Sequence, residues 1–243
     1  MFEFLRPKRT RVEVQVLAVK RIAPQMQSIR LGGAGVEEFL KTDGADAPAA
    51  WVKVILPKGE GRAYTIRDID RDSGTLDLAF VLHDRHGVSG PASAWASQAR
   101  VGDRIDIAGP RDGAFRLPED ASWIVLAGDA TALPAMKAIA KVLPPGIKAE
   151  MYAEVTSPEE RQAIESPAPL GVTWLEEESL PGLALRYAIT GKTLPSSPGY
   201  IWVAGESAAV RACRHHFQML GLPPGRVSAK GYWKLGETAH RSG

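Results

Sequence analysis

"WIVLAGDATALPAMKAIAKVL", residues 123–143, is the stretch that decides the fold. Its first six residues form a continuous apolar run, the pattern of a strand buried on both faces of a parallel sheet. A glycine and a threonine follow at 128 and 131, and "LPAMKAIAKVL" (133–143) then takes a helical period. Strand, turn and helix in that order make the opening unit of a parallel α/β domain. Downstream, "KAEMYAEV" (148–155), "GVTWLE" (171–176) and "YIWVAG" (200–205) repeat the strand pattern. "SPEERQAI" (157–164) carries the residues of a capped helical segment, and "ESAAVRACRHHFQMLG" (206–221) is a strong helix that closes on glycine.

Upstream of residue 115 the texture is different. "RVEVQVLAV" (11–19) sets Val12, Val14 and Val16 against Arg11, Glu13 and Gln15, the period-two alternation of a half-buried strand. "MQSIRL" (26–31), "WVKVILP" (51–57), "AYTIRD" (63–68), "TLDLAFVLH" (75–83) and "DRIDIAGP" (103–110) continue that style, with no strong helix before residue 91. Six strands joined by turns predict an antiparallel β-barrel. Pro7, Pro24, Pro57 and Pro110 fall at strand edges or between strands, where a missing N–H does no harm. The change of texture lies in "RDGAFRLPEDAS" (111–122), so the expected domains are residues 1–117 and 118–243.

Bulk properties exclude several function classes. Thirty Lys and Arg against 28 Asp and Glu leave a net charge of +2, too balanced for a nucleic-acid binder. Cys213 is the single cysteine, which removes any intramolecular disulfide and any cysteine-built metal site. "MFEFLRPKRT" has no apolar core of a secretory signal, and no apolar run is long enough to span a bilayer. A cytoplasmic monomer with no membrane insertion and no metal site is the expectation.

Two clusters hold more polar chemistry than folding requires. In "GRAYTIRDID" (61–70), Arg62 and Tyr64 share one strand face about 7 Å apart, and Thr65 adds a hydroxyl. A phenol ring can stack on a flat heterocycle while a guanidinium grips a phosphate. An Arg–Tyr pair on a solvated strand would read the same way. In "VLHDRHGVSGPASAWA" (81–96) a helix opens at Gly90-Pro91-Ala92-Ser93, with His83 at the end of the preceding strand. Proline suits a first helical turn, and the N–H groups there make an anion site. A histidine at a strand end is also a common structural residue. The turn "AGDATALP" can lie against a pyrophosphate or a nicotinamide, or be only a turn. In "AGES", Glu206 stands at a helix start, where a carboxylate is stabilising on its own account.

"RAYTIR", "FVLH", "GPASAWA", "GDRIDIAGPRDGAF", "AGDATALPAM", "AGESAAVRACRHHF" and "GYWKLG" together, in this order, resemble the siderophore-interacting protein family. These are FAD-binding ferric-siderophore reductases of the ferredoxin–NADP reductase superfamily, in which a flavin barrel precedes an NAD(P)H-binding-like domain. The resemblance implies that Arg62, Ala63, Tyr64, Thr65, Arg67, His83, the turn Gly90, Pro91, Ala92 and Ser93, and Asp129, Thr131 and Ala132 lie against the cofactor. It implies FAD as cofactor, NAD(P)H as electron donor with ferredoxin as the alternative, and a ferric siderophore as partner. Catalysis is then flavin-mediated electron transfer, with no side chain acting as catalyst. Lys53, Arg111 and Lys234, lying in the family's motifs, are expected to hold an anionic ferric chelate. The family's usual Gly-Asp-Glu-Thr is Gly128-Asp129-Ala130-Thr131 here, and its usual Gly-Tyr-Trp-Arg ends in Lys234. Two other readings remain open: a general NAD(P)H–flavin reductase or diaphorase, and a flavin- or siderophore-binding protein without turnover.

Overall fold

A computed structural model describes residues 10–57, 59–82 and 90–237. Six antiparallel strands close into a barrel in the order β1-β2-β5-β4-β3-β6. They are β1 (Thr10–Ala23), β2 (Met26–Gly32), β3 (Trp51–Ile55), β4 (Gly61–Asp70), β5 (Thr75–Val81) and β6 (Arg104–Arg111). Closure removes the exposed edges that would otherwise invite pairing with another chain. Strand β1 reaches both neighbours because it is 14 residues long and carries a register shift between Val16 and Ala18. The alternation that predicts the barrel also fills it. Val14, Val16, Ile29, Leu31, Val52, Val54, Leu76, Leu78, Phe80, Ile105 and Ile107 point inward and are buried. A short helix, α1 (Ala34–Leu40), places Val36, Phe39 and Leu40 in that core. This short segment is not expected from the sequence, because its seven residues give little periodic signal. Helix α2 (Pro91–Gln98) packs on β5 and β2.

The second unit is a five-stranded parallel sheet in the order β11-β10-β7-β8-β9. Its strands are β7 (Trp123–Asp129), β8 (Lys148–Val155), β9 (Leu170–Glu176), β10 (Gly199–Glu206) and β11 (Val227–Trp233). The helices are α3 (Leu133–Ala140), α4 (Leu183–Thr190) and α5 (Ser207–Met219). Central strands β7 and β10 are buried at every position, as their unbroken apolar runs require. One sheet face packs Ile124, Leu126, Met151 and Trp202 with α3 and with Ala23, Met26, Ala49 and Ala79 of the barrel side, so a single core spans both units. The other face buries Val125, Ala127, Ile201 and Val203 under Leu185 and Ile189 of α4 and Val210, Cys213 and Phe217 of α5.

Residues 157–164 are not the expected helix. Only Pro158–Glu160 make a 3₁₀ turn, and Arg161 returns to an extended conformation. Tertiary bonds hold the segment open: Glu160 accepts from the backbone N–H of Gln25 at 2.6 Å, and Gln162 reaches the Met26 sulfur at 3.2 Å. Burial against the β1–β2 hairpin outweighs a weak local preference. Helix α4 and strand β11, in contrast, complete the sheet where no element is expected from the sequence.

Candidate functional site

The inner rim of the barrel carries the first cluster. Tyr64 projects toward the barrel core, where its ring meets Phe80 of β5 at 4.1 Å between centroids. Phe80 in turn meets Trp95 of α2 at 5.6 Å, so β4, β5 and α2 are tied by one aromatic column. Burial pushes the Tyr64 phenol above its ordinary value, while nearby Arg62 pulls the other way. Arg62 lies on the same strand face, half-buried, and donates to the Gly61 carbonyl at 3.0 Å. Helix α2 starts at Gly90 (φ −63°, ψ 154°), which has no side chain to cap it, and has Pro91 in its first turn. A Cβ at Gly90 would meet nothing within 4 Å among the described residues. Ala92 and Ser93 are buried beneath it. His83 lies outside the described residues.

The outer face of the same strand looks toward the sheet. Thr65 is buried and stands cross-strand from Trp51. Its hydroxyl meets the phenol of Tyr232 on β11, a phenol that burial also pushes up. Ala63 is exposed and faces Lys53 across the ladder. Arg67 lies apart from this face, donating to the Ser28 hydroxyl at 3.3 Å and pairing with Asp77 at 3.8 Å.

Beside Thr65 is a wall of cations around an indole. The Arg111 guanidinium sits 4.8 Å from the centroid of the Trp51 ring and the Lys230 ammonium 4.7 Å from it. Trp51 is fixed by its indole N–H, which donates to the Asp112 carbonyl at 2.9 Å. Burial draws the Lys230 ammonium below its usual value; Asp112 opposes that shift and Arg111 adds to it. The structure thus brings Arg111 to an aromatic partner and adds Lys230, which the sequence reasoning missed. Lys53 is exposed, with its stem over Gly61. Lys234 is ion-paired with Glu237 and is not part of the Trp51 stack. Alternation along β11 could have flagged Lys230, but nothing local indicates that β11 ends beside β3.

At the carboxyl edge of the sheet, Asp129 is fully engaged inside the chain. One oxygen accepts from the Thr131 N–H at 2.9 Å and its hydroxyl at 2.5 Å. The other accepts from the Glu206 N–H and the Trp233 indole, both at 2.8 Å. Gly205 has φ 138°, and a side chain there would overlap the Asp129 carboxylate. Ala132 is buried, and its N–H bonds the Asp129 carbonyl at the start of α3. Glu206 caps α5 by accepting from Ala208 and Ala209 at 2.6 and 2.9 Å. Glu154 does the same for α4, accepting from Gly182 and from Leu185 at 2.7 Å. Burial raises the Glu154 carboxyl to about 6, against the two backbone donors that favour its ionised form. Among the described residues no group of three or more His, Cys, Asp or Glu is placed to hold a metal.

The rim residues fit FAD on their own geometry. An isoalloxazine needs an aromatic face and a polar edge, and a pyrophosphate needs a guanidinium and free N–H groups at a helix start. Tyr64, Thr65 and Arg62 of β4 and the start of α2 are groups of these kinds, tied together through β5 by the Tyr64–Phe80–Trp95 column.

A closed antiparallel barrel followed by a parallel α/β sheet, with this rim, defines a flavin-dependent oxidoreductase. Comparison with known proteins narrows the class. The siderophore-interacting FAD-binding domain matches residues 58–114, and the siderophore-interacting protein domain matches residues 121–236. The ferric vibriobactin reductase ViuB of Vibrio cholerae is 34% identical over 193 residues, covering 76% of this chain and 69% of that protein. The NADPH-dependent ferric-chelate reductase of Escherichia coli is 27% identical over 242 residues, covering 91% and 92%. A siderophore utilization protein from T. fusca superposes with a TM-score of 0.81 at 30% identity, over 94% of each chain. The chain belongs to the siderophore-interacting protein family, and its barrel is an FAD-binding domain.

Proposed function

We propose that this protein is a ferric-siderophore reductase that takes electrons from NAD(P)H and releases iron as Fe(II) in the cytoplasm. The observation that carries this reading is the Arg111–Trp51–Lys230 stack beside Thr65. It places a cationic wall on the outer face of the strand whose inner face carries Tyr64. Arg62 and the α2 start hold the FAD pyrophosphate, Tyr64 covers one face of the ring system, and Thr65 meets its polar edge. When bound, FAD supplies the conversion of a two-electron hydride donation into one-electron steps, so that each NAD(P)H reduces two ferric ions. Arg111, Lys230 and Lys53 attract and orient an anionic chelate whose iron arrives already coordinated. Fe(II) is held less tightly by oxygen-rich chelators than Fe(III), so reduction leads to release. The E. coli relative named as NADPH-dependent supports a nicotinamide donor over ferredoxin.

The test is Fe(II) trapping with NADPH, using one anionic and one neutral ferric chelate. Neutralising Lys53, Arg111 and Lys230 together is expected to raise KM for the anionic chelate roughly 150-fold, at about 1 kcal/mol for each of the three charges lost. The loss should shrink as salt passes about 0.15 M. FAD content and reduction by NADPH should not change. Equal rates with both chelates in the variant and the parent would remove these residues from the site. Fast flavin turnover with no Fe(II) would favour a diaphorase, and bound flavin with no turnover a carrier.

A further inference from the structure

The outer surface of α4 and α5, on the side of the sheet away from the barrel core, has a composition the reductase chemistry does not use. Helix α5 buries Ala209, Val210, Cys213 and Phe217 as its inner stripe. Arg211, Arg214, His215 and Gln218 therefore stand on the outer side, followed by Met219 and Leu220 at the helix end. Helix α4 buries Leu185 and Ile189, which turns Tyr187 outward, with the Arg186 guanidinium 5.1 Å from its ring centroid. The two helices pack side by side, so these residues share one surface. Tyr187 is 59% exposed, Met219 74% and Leu220 54%. Large side chains at that exposure stand proud of a folded surface rather than covering it.

Helices α4 and α5 themselves carry Arg186, Arg211 and Arg214 and no carboxylate, while Glu176, Glu177 and Glu178 precede this segment. Between Ser179 and Gly236 the chain has seven Lys or Arg and a single carboxylate, Glu206, which is buried as the cap of α5. Lys192, Arg226 and Lys234 are neutralised by Glu150, Asp120 and Glu237. Among the described residues Arg186, Arg211 and Arg214 have no carboxylate partner. The remainder of the chain is net acidic, 27 Asp and Glu against 23 Lys and Arg.

We propose that the α4–α5 surface docks this protein on an anionic phospholipid bilayer. Arginines attract acidic headgroups, while a tyrosine, a methionine and a leucine among them can enter the interface without crossing it. Among the described residues no helix is long and apolar enough to span a bilayer, and an association through exposed arginines is salt-sensitive. This goes beyond the reductase reading and does not rest on it. The barrel rim lies on the opposite side of the sheet and stays open while the protein is docked.

The purified holoprotein should co-sediment with phosphatidylglycerol–phosphatidylethanolamine vesicles at low salt, and far less with phosphatidylcholine vesicles. Arg211→Gln with Arg214→Gln should weaken that binding roughly 25-fold, about fivefold per basic residue at an anionic surface. Met219→Ser should weaken it less. Lys20→Gln with Arg21→Gln, two exposed residues of β1, lowers net charge equally and should leave binding within about twofold. FAD content, thermal unfolding and reduction of a soluble chelate should match the parent in every variant. No binding to anionic vesicles, equal binding to phosphatidylcholine, or equal loss in the β1 control would each overturn the proposal. Self-association altered by the α5 pair without vesicle binding would assign the surface to a second copy instead.

Discussion

Two helix starts in this molecule face opposite demands. Helix α5 begins under Glu206, whose carboxylate takes the N–H groups of Ala208 and Ala209. Helix α2 begins at Gly90, which has no side chain of its own to lay over the first N–H groups, followed by Pro91. The first carries its own anion, covalently attached and buried. At the second, a bound phosphate can take the place that the Glu206 carboxylate holds in α5. Helix α4 sides with α5, because Glu154 fills its start. Of these three helices, α2 is the one that lies at the barrel rim with Arg62 and Tyr64.

The largest effect should come from breaking the self-satisfied region. Asp129→Ala leaves the Glu206 N–H, the Trp233 indole and the Thr131 donors without their acceptor. A loss of about 4 kcal/mol is expected in urea unfolding, a large fraction of the ordinary stability of a domain. A loss below about 1 kcal/mol would show that water replaces the carboxylate easily.

Next comes a substitution that imports the α5 arrangement into α2. The Gly90 backbone angles suit any residue and its Cβ position is open, so Gly90→Asp should fold and cap the helix. It should also weaken FAD binding about a hundredfold, through repulsion between carboxylate and phosphate, while Gly90→Ala leaves it nearly unchanged. Equal FAD affinity in the parent and Gly90→Asp would place the pyrophosphate elsewhere.

Glu154 gives a pH signature. Its carboxyl is raised from 4.5 to about 6 by burial, so the folded chain holds a proton that the unfolded chain has already released. Its contribution is therefore most favourable below about pH 4.5 and declines as pH rises through about 6, by up to ~2 kcal/mol. Glu154→Gln should remove that slope from the unfolding free energy between these pH values. A slope unchanged in the variant would mean that the backbone donors, not burial, dominate the site.

The smallest effect belongs to Glu206→Ala. Loss of a helix cap costs about 1 kcal/mol and should lower Tm by roughly 2–4 °C in a chain of this size. FAD content should be unaffected, since α5 is not at the rim.

Much of this was legible before any coordinates. Alternation at Val12, Val14 and Val16 and the unbroken run at 123–128 separate barrel from parallel sheet, because a strand half in water and a strand buried on both faces need different residues. Gly90-Pro91 reads as a helix start, and Glu206 as a carboxylate at the start of another, from local chemistry alone. Arg62 and Tyr64 fall on one face by strand geometry. The helix expected at 157–164 was misread because Glu160 and Gln162 bond residues more than 130 positions away.

What only the tertiary structure decided are the meetings between distant strands. Lys230 reaches Trp51, Tyr232 reaches Thr65, and Trp233 reaches Asp129, because β11 closes the sheet beside β10 and turns one side toward the barrel. A residue's own sequence neighbourhood sets its backbone preference and its face, which are short-range energies. Which other face it meets depends on how two cores pack together, a sum over many weak contacts that no local stretch contains.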